Sequence, residues 1–316
     1  MDVLPHRALG SSGIDVSVLS LGSWMTFERI PREAGLAVMT AARQIGIDFL
    51  DDARYDDPTG TAPIPTGYSE VVFGELFRAA GWKRDEVVVA NKLWFEFWPG
   101  QSVAEEVDAS LGRMGFDHLD LIYCTPPPPA ADIAELVGSV GDLITVGKAR
   151  AWGMTNWTAA QTADGFDTAA AAGLPPPCAT QLPYNLVSRS WVEDRDMADV
   201  LERTGIGVVA SAVLAGGALT GKYTAPAATG RIADQLDAPR LKPALRAAPE
   251  LRSLADELAT TPAALAIAFA LTNPTVASVL FGATTSEQVT GNAKALELTD
   301  PTIVARLRAI GASEST

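Results

Sequence analysis

The chain has 316 residues, of which 38 are acidic and 24 basic, so its formal net charge at pH 7 is −14. This excess of negative charge repels nucleic acid and anionic membranes, so we expect neither as a partner. Hydrophobic residues make up 47% of the chain, which is typical of a globular protein. Two cysteines and two histidines are too few for a disulfide scaffold or a histidine-rich metal centre, and no metal site is predicted.

The length and the apolar runs favour a single-domain protein that acts on a small molecule. We predict one domain over residues 1–316, although the length also allows two small ones. The first ten residues have no apolar signal-peptide core. No apolar run reaches the roughly 18 residues of a membrane span. We therefore expect a cytoplasmic protein with a small-molecule substrate and no membrane partner, and the oligomeric state stays open.

In chain order, the pattern begins with two short β-like runs around a turn at Gly10–Gly13, which predict a hairpin. Short apolar runs then alternate with amphipathic stretches. The predicted strands are Val16–Leu21, Ile47–Asp51, Val87–Leu93, Leu119–Cys124, Ala151–Met154, Thr180–Leu182, Val208–Ala212 and Ser278–Phe281. The predicted helices include Arg32–Gln44, Glu70–Ala79, Val103–Met114, Ala131–Val146 and Ala159–Ala171.

Eight β runs separated by helices predict an α/β fold of the (β/α)₈ TIM-barrel type with an N-terminal β-hairpin. A doubly wound sheet is the alternative. It is disfavoured because no G-x-G-x-x-G follows the first strand. Residues 225–245 are rich in Ala, Pro and Arg and show no periodicity. We predict that they form a long loop over a bound cofactor.

In such a barrel the active site lies at the carboxyl ends of the strands. Here those ends are polar and mostly uncharged, with one lysine and a short acidic stretch. This set suits an amide-bearing cofactor better than a metal. The residues concerned are Ser23, Trp24, Asp51 to Tyr55, Asn91, Lys92, Cys124, Thr125, Thr155, Asn156, Gln181 to Asn185, Ser211 and Gly282 to Thr285.

Asp51, Tyr55 and Lys92 form the strongest candidate catalytic set. A phenol with an ordinary pKa of about 10 is a poor acid at neutral pH. We expect the neighbouring Lys92 to lower the pKa of Tyr55, and a buried Asp51 to keep Lys92 charged and in place. Such a trio protonates a carbonyl oxygen as hydride arrives at the carbon. The alternative is a strand-end salt bridge beside an unrelated loop tyrosine.

Two further segments have open interpretations. Residues 216–223 nearly match the phosphate loop G-x-x-x-x-G-K-[ST], but Tyr223 cannot offer Mg²⁺ the small hydroxyl that this motif needs. Lys222 therefore either meets a phosphate without metal or is a solvated lysine after a turn. Trp94, Phe95, Phe97 and Trp98 either wall an apolar substrate pocket or pack a loop.

Taken in order, several segments resemble the aldo-keto reductase superfamily, and most closely its branch that includes potassium-channel β subunits and their bacterial relatives. The match runs from about His6 to Asn292. The segments that carry it are residues 7–13 (RALGSSG), 21–27 (LGSWMTF), 47–53 (IDFLDDA), 67–74 (GYSEVVFG), 152–157 (WGMTNW), 181–186 (QLPYNL), 219–223 (LTGKY) and 282–289 (GATTSEQV). No single segment is decisive, but the order and spacing of these segments together are specific to that superfamily.

The resemblance implies a barrel that binds NADP(H) without a Rossmann domain. It implies that Asp51, Tyr55 and Lys92 are three members of the family's catalytic tetrad. It also implies cofactor contacts. These are Ser23, Trp24 and Asp51; Thr155, Asn156 and Gln181 at the nicotinamide carboxamide; Ser211, where the family has an aromatic residue under the nicotinamide; Leu214, Gly216 and Lys222 at the pyrophosphate; and Gly282, Thr284, Gln288 and Asn292 at the adenosine and its 2′-phosphate.

Four departures from the family pattern bear on function. Thr125 stands where the tetrad histidine falls, and threonine cannot carry a proton charge. Tyr55 follows Asp51 by four positions rather than five, which leaves Tyr68 as a fallback acid. Ser211 replaces the stacking aromatic residue. Gly291 replaces the glutamate near the adenine.

The leading hypothesis is an NADPH-dependent oxidoreductase that passes hydride to a carbonyl, or to a conjugated C=C or a C=N bond, of a small apolar or aromatic substrate. Thr125 then shapes the oxyanion site rather than acting as an acid. The alternative is a catalytically weak NADP(H)-binding subunit that senses redox state. A third possibility, an unrelated barrel hydrolase or lyase, requires that no cofactor binds.

Overall fold

The computed structural model describes residues 4–57, 59–129, 131–224 and 230–312. The strands are β1 His6–Ala8, β2 Asp15–Ser17, β3 Leu19–Gly22, β4 Phe49–Asp51, β5 Val88–Leu93, β6 Leu119–Cys124, β7 Ala149–Thr155, β8 Ala179–Pro183, β9 Gly207–Ser211 and β10 Val276–Phe281. The α-helices are α1 Arg32–Gln44, α2 Tyr68–Ala79, α3 Val103–Met114, α4 Ile133–Thr145, α5 Ala159–Ala171, α6 Ser190–Glu193, α7 Arg195–Thr204, α8 Lys242–Glu257, α9 Pro262–Leu271, α10 Ser286–Ala293 and α11 Pro301–Ala312.

Within the described residues, eight parallel strands close into a barrel in the order β10-β3-β4-β5-β6-β7-β8-β9. Because nearly all residues of these strands are buried, the strands appear in the sequence as short apolar runs. The predicted TIM barrel is therefore confirmed. That residues 1–316 form one domain stays a prediction.

Local signals explain why several helices begin where they were predicted. Ser102 accepts a hydrogen bond from the backbone of Glu105, whose side chain accepts one back from the backbone of Ser102. Thr158 and Gln161 make the same capping box at the start of α5. Such boxes satisfy the free amide groups of the first helical turn and fix the first residue of the helix.

The predicted N-terminal hairpin is also confirmed, and it closes the amino end of the barrel. β1 and β2 pair antiparallel, and Leu9, Ile14 and Val16 pack with the residues that fill the barrel interior. Gly10 has φ +51°, and a Cβ there would lie 2.6 Å from the carbonyl oxygen of Cys178. Only glycine tolerates both the backbone angle and this close approach.

The predicted strand Val16–Leu21 is wrong as one continuous strand. Val16 and Ser17 pair in the hairpin, whereas Leu19 begins the barrel strand β3. The chain changes direction between them, where the Ser17 hydroxyl donates to the carbonyl oxygen of Leu19 at 2.7 Å. The Val18 amide meanwhile donates to the carbonyl oxygen of Pro5 at 2.9 Å, outside the barrel.

The predicted loop 225–245 is shorter than the sequence suggested. Residues 225–229 lie outside the described part of the chain. Pro239–Leu241 forms a 3₁₀ turn, and α8 begins at Lys242 with Pro243 in its first turn. Proline suits that position because the amide it lacks would have no partner there. Alanines that look unpatterned in the sequence form the buried face of α8.

Among the described residues, no single helix has both the length and the apolar composition to cross a membrane. The helical segments Pro239–Glu257 and Pro262–Leu271 are long and apolar enough only when they are taken together, and the chain bends by 97° between them.

Candidate active site

Lys92 links the three residues of the candidate catalytic set. Its Nζ lies 2.6 Å from Oδ1 of Asp51 and 3.1 Å from the hydroxyl of Tyr55. Asp51 and Lys92 lie at the carboxyl ends of the neighbouring strands β4 and β5, so their side chains reach the same point inside that end of the barrel. Gln181, on β8, donates to the other Asp51 oxygen, Oδ2, at 2.9 Å. The structure therefore brings these four residues into one hydrogen-bonded row.

Burial and charge act in opposite directions on this row. Burial raises the pKa of Tyr55 above its ordinary value, and the nearby Lys92 offsets only part of that rise. Lys92 does act to lower the pKa of Tyr55, as expected, but burial raises that pKa by more, so the net shift is upward. Burial disfavours the charge on Lys92, but Asp51 and Tyr55 outweigh it and hold the pKa of Lys92 above its usual value. At neutral pH Tyr55 is therefore a phenol and Lys92 an ammonium.

Tyr68, the fallback acid, lies elsewhere. It is the first residue of α2, and its hydroxyl accepts a hydrogen bond from Arg32 at 3.0 Å. The Arg32 guanidinium also lies over the Tyr68 ring, 5.6 Å from its centroid. The geometry thus favours Tyr55 over Tyr68 as the phenol beside Lys92.

Thr125 turns its hydroxyl into the barrel wall. The hydroxyl donates to the carbonyl oxygen of Leu93 at 2.9 Å, and the Thr125 carbonyl accepts from the indole of Trp157 at 2.9 Å. The residue is buried just after β6, beside the end of β5. Its one hydroxyl proton is therefore engaged within the protein.

Ser23 pairs with a second buried carboxyl group that the sequence analysis did not single out. The Ser23 hydroxyl donates a short hydrogen bond to Oδ1 of Asp52. Oδ2 of Asp52 is buried and has no hydrogen-bond partner among the described residues. Burial, followed by the nearby Glu70 carboxylate, raises the pKa of Asp52 well above its ordinary value. A buried carboxyl group with a raised pKa therefore lies behind Ser23, a predicted cofactor residue.

Two more predicted cofactor residues lie at the end of β7. Thr155 is buried, whereas the Asn156 side chain is exposed at the mouth of the barrel. Asn156 has φ +59°, and its amide donates to the carbonyl oxygen of Gln181 at 3.0 Å. Asparagine is among the few residues that adopt this left-handed conformation readily. The turn thus ties the Asn156 backbone to Gln181 and leaves the Asn156 carboxamide exposed at the mouth of the barrel.

The segment after β9 forms a tight loop around Lys222. Gly216 and Gly217 have φ +67° and +93°, and a Cβ on Gly217 would lie 2.8 Å from Cε of Lys222. Ser211 ends β9, and Leu214 precedes the first 3₁₀ turn of the loop. The Lys222 side chain itself is exposed. The Gly217 amide donates to the carbonyl oxygen of Leu214 at 2.9 Å within the loop, so the exposed Lys222 is the group at its edge that suits an anion.

Arg231 is a cation at the mouth of the barrel that the sequence analysis missed. Its guanidinium donates to the Thr26 hydroxyl at 2.6 Å and lies over the Trp24 ring, 5.2 Å from its centroid. A Cβ on Gly282 would lie 3.0 Å from Nη2 of Arg231. Arg231 is thereby packed between the first and last strand ends of the barrel.

The remaining predicted cofactor residues follow β10. Gln288 folds back over the start of α10, where its side-chain oxygen accepts from the Thr284 amide at 2.8 Å. Asn292 is buried on the same helix. Gly282 directly follows β10 at the mouth of the barrel. These residues therefore border the same end of the barrel as the Lys92 row.

The aromatic segment after β5 is partly buried and partly exposed, so the substrate-pocket interpretation stays a prediction. Phe95 is buried in the core, whereas Phe97 is 61% exposed. Trp94 meets the Tyr55 ring edge-to-face, with centroids 6.4 Å apart. One part of the segment packs the loop, and another part presents aromatic surface beside Tyr55.

The comparisons with known proteins agree with this fold. The sequence profile of the Aldo/keto reductase family matches residues 18–311. A probable voltage-gated potassium channel subunit beta of Oryza sativa subsp. japonica is 32% identical over 328 residues, covering 97% of this chain and 96% of that protein. One from Arabidopsis thaliana is 31% identical, covering 93% and 92%, and a putative one from Schizosaccharomyces pombe is 31% identical, covering 94% and 89%. The chain belongs to the aldo/keto reductase family, and the resemblance to its channel-subunit branch is confirmed.

Proposed function

We propose that this chain is an NADPH-dependent oxidoreductase that reduces a carbonyl group, or a conjugated C=C or C=N bond, of a small apolar or aromatic substrate. The observation that carries the proposal is the row in which Lys92 contacts both Tyr55 and Asp51, at 3.1 Å and 2.6 Å. Membership of the aldo/keto reductase family supports it.

The proposed chemistry assigns the proton to this chain and the hydride to the cofactor. When bound, a reduced nicotinamide supplies hydride. Tyr55 stays protonated at neutral pH because burial raises its pKa, so its hydroxyl is ready to donate to the substrate oxygen as charge develops there. Lys92 then stabilises the phenolate that forms. Asp51 keeps Lys92 charged and fixed in place.

The fit of a dinucleotide phosphate rests on the loop after β9 and the cations beside it. At Gly216 and Gly217 the backbone packs so closely against its neighbours that side chains would not fit. A Cβ at Gly216 would lie 2.8 Å from Ile232, and a Cβ at Gly217 would meet Lys222. We assign Lys222 and Arg231 to phosphate groups of NADPH, since both are cations next to this loop. Thr155, Asn156 and Gln181 are assigned to the nicotinamide carboxamide, whose donors and acceptors match their polar groups. Ser23, Trp24, Ser211, Leu214, Gly282, Thr284, Gln288 and Asn292 complete the proposed cofactor site.

A substitution of Tyr55 tests the proposal against a matched control. We expect Tyr55→Phe to lower kcat for NADPH oxidation by aldehydes, ketones or enones by about 10²-fold or more, the range of general acid catalysis. Tyr68→Phe removes the hydroxyl of the other candidate and should leave kcat within about twofold. Equal activity of wild type and Tyr55→Phe contradicts the proposed role. Product analysis with an enone then tells carbonyl reduction from C=C reduction.

A second candidate, a weakly catalytic NADP(H)-binding regulatory subunit, is favoured by one observation. The Thr125 hydroxyl donates to Leu93, so the position of the tetrad histidine offers the substrate no proton. The relatives named as channel β subunits support the same candidate. Under it, the protein binds NADPH tightly, but no substrate oxidises the cofactor and Tyr55→Phe changes nothing.

A further inference from the structure

Arg54 directly precedes Tyr55 and is almost completely buried. Its side chain is 5% exposed and its Nε donates to Oε1 of Glu106 on α3 at 2.6 Å, where the Glu106 side chain is 6% exposed. Nη2 makes a short ion pair with Glu96 in the aromatic segment. Nη1 donates to the Thr66 hydroxyl at 2.9 Å. One guanidinium therefore binds three separate segments.

Two of these segments, the end of the loop after Tyr55 and the aromatic segment, border Tyr55. The two ends of the loop after Tyr55 meet, since Asp56 and Thr66 form an antiparallel bridge and the Gly67 amide donates to the Tyr55 carbonyl at 2.8 Å. Thr66 closes this loop, and Arg54 binds the Thr66 side chain. The Arg54 guanidinium also lies 5.7 Å from the centroid of the exposed Phe97 ring. The contacts of Arg54 thus fix the loop after Tyr55 relative to the aromatic surface.

Only arginine has the geometry for this arrangement. Its three nitrogens donate in three directions within one plane, whereas a lysine offers a single point charge. Gln101 donates to the second oxygen of Glu106 at 3.0 Å, so that buried carboxylate is also satisfied. A buried, fully bonded pair is costly to break by removing one partner, but replacing both partners is often close to neutral. Arg54 and Glu106 can therefore be replaced together.

We propose that Arg54 is a positioning residue that holds Tyr55 and the loop 56–66 in register with the aromatic segment that faces the substrate. The part that concerns catalysis rests on the proposed reductase function. A displacement of about 1 Å in a reacting group can cost on the order of 10²-fold in rate. Loss of Arg54 therefore lowers kcat through the position of Tyr55, while the Tyr55 hydroxyl itself remains present.

The test compares two double variants of the full chain. Arg54→Met/Glu106→Gln removes the buried pair beside Tyr55. Arg84→Met/Asp120→Asn removes a similar pair at the opposite, amino-terminal end of the barrel, where Arg84 and Asp120 lie 2.5 Å apart. Both are measured for kcat of NADPH oxidation and, without cofactor, for hydrogen exchange of the amides in residues 55–67. The second readout does not depend on activity.

We expect Arg54→Met/Glu106→Gln to speed exchange over residues 55–67 at least about tenfold and to lower kcat at least about tenfold. The control should leave both within about twofold of wild type. Unchanged exchange, or unchanged kcat in an active wild type, overturns the proposal, as does an equal effect of the control. If exchange is faster in the double variant but wild type reduces no substrate, Arg54 still positions the loop. In that case it is the reductase function that is rejected.

A milder variant keeps the proposal testable should the first fail to fold. Glu96 is partly exposed, so Glu96→Gln removes one ionic contact of Arg54 without leaving a buried charge unpaired. We expect it to speed exchange over residues 55–67 at least about threefold and to lower kcat at least about threefold. Wild-type values for both measurements overturn the proposal.

Discussion

The Thr125 hydroxyl donates to the carbonyl oxygen of Leu93 at 2.9 Å, across the ends of two neighbouring strands. The same carbonyl accepts the Thr125 amide at 3.1 Å. The side chain therefore completes the barrel wall and has no proton left for a substrate. Thr125 is therefore bonded into the fold through both its backbone and its side chain.

Replacing Thr125 by valine tests this interpretation. The change removes the hydroxyl and keeps the shape, and the Leu93 carbonyl keeps its backbone partner. We expect kcat/KM to stay within about threefold of wild type and the free energy of unfolding to fall by about 1 kcal/mol, the usual net value of one hydrogen bond. A tenfold or greater loss of kcat/KM would show that the hydroxyl acts on the substrate.

Asp52 predicts a specific pH dependence of stability. Its pKa is well above 3.8 in the folded protein, so the folded chain holds this proton at pH values where the unfolded chain has released it. The protonated Asp52 side chain therefore contributes to the free energy of unfolding. This contribution is fully present below about pH 4 and is lost as pH rises through the pKa of Asp52 in the folded protein. Asp52→Asn abolishes it. In urea unfolding between about pH 4.5 and 6.5, we expect Asp52→Asn to gain stability relative to wild type by up to about 1.4 kcal/mol per pH unit. A difference that does not change with pH contradicts the assignment.

The packing of α2 on α3 predicts the effect of two glycine substitutions. A Cβ on Gly74 would lie 2.1 Å from the carbonyl oxygen of Met114, which is backbone and cannot rotate away. We expect Gly74→Ala to lower the free energy of unfolding by about 2–4 kcal/mol, since overpacking forces the helices apart. Gly112 lies in α3, and a Cβ added there would have no neighbouring atom within 4 Å, so Gly112→Ala should stabilise by about 0.5–1 kcal/mol. The two variants, measured by chemical denaturation, should therefore move in opposite directions.

Arg231 predicts cofactor affinity. If its guanidinium meets a phosphate of NADPH, Arg231→Met should weaken binding by about 10- to 100-fold, the value of a hydrogen bond to a charged group. Arg203→Met, which removes an exposed ion pair between α7 and Asp167 on α5, is the matched control and should leave the Kd unchanged. Titration of NADPH fluorescence measures both. Equal affinity of Arg231→Met and wild type would reject the assignment of Arg231.

The sequence predicts the regular parts of this molecule well, because periodic burial and capping are local properties. The bounds of α1, α3 and α5 agree with the predicted ranges to the residue. The break at Val18 was missed because it depends on Asp48, whose side chain accepts the Ser17 amide from a distant part of the chain.

Side-chain partners at the candidate site were harder to predict for the same reason. Arg54 and Arg231 appear in the sequence as ordinary charged residues among loop residues. Their roles depend on Glu106 and Thr26, which lie 52 and 205 positions away along the chain. Asp52 follows Asp51 directly, yet strand alternation sends their side chains to different partners, Ser23 and Lys92.

We infer that Tyr55, Lys92 and Asp51 form a working proton donor beside bound NADPH. The most direct measurement is single-turnover oxidation of enzyme-bound NADPH, followed by nicotinamide absorbance after mixing with aldehydes, ketones, enones and imines. We predict rapid loss of absorbance with at least one of these classes in wild type, and loss at least about 10²-fold slower in Tyr55→Phe. Bound NADPH that none of them oxidises, or equal rates in the two proteins, would show that these residues do not act as the proton donor.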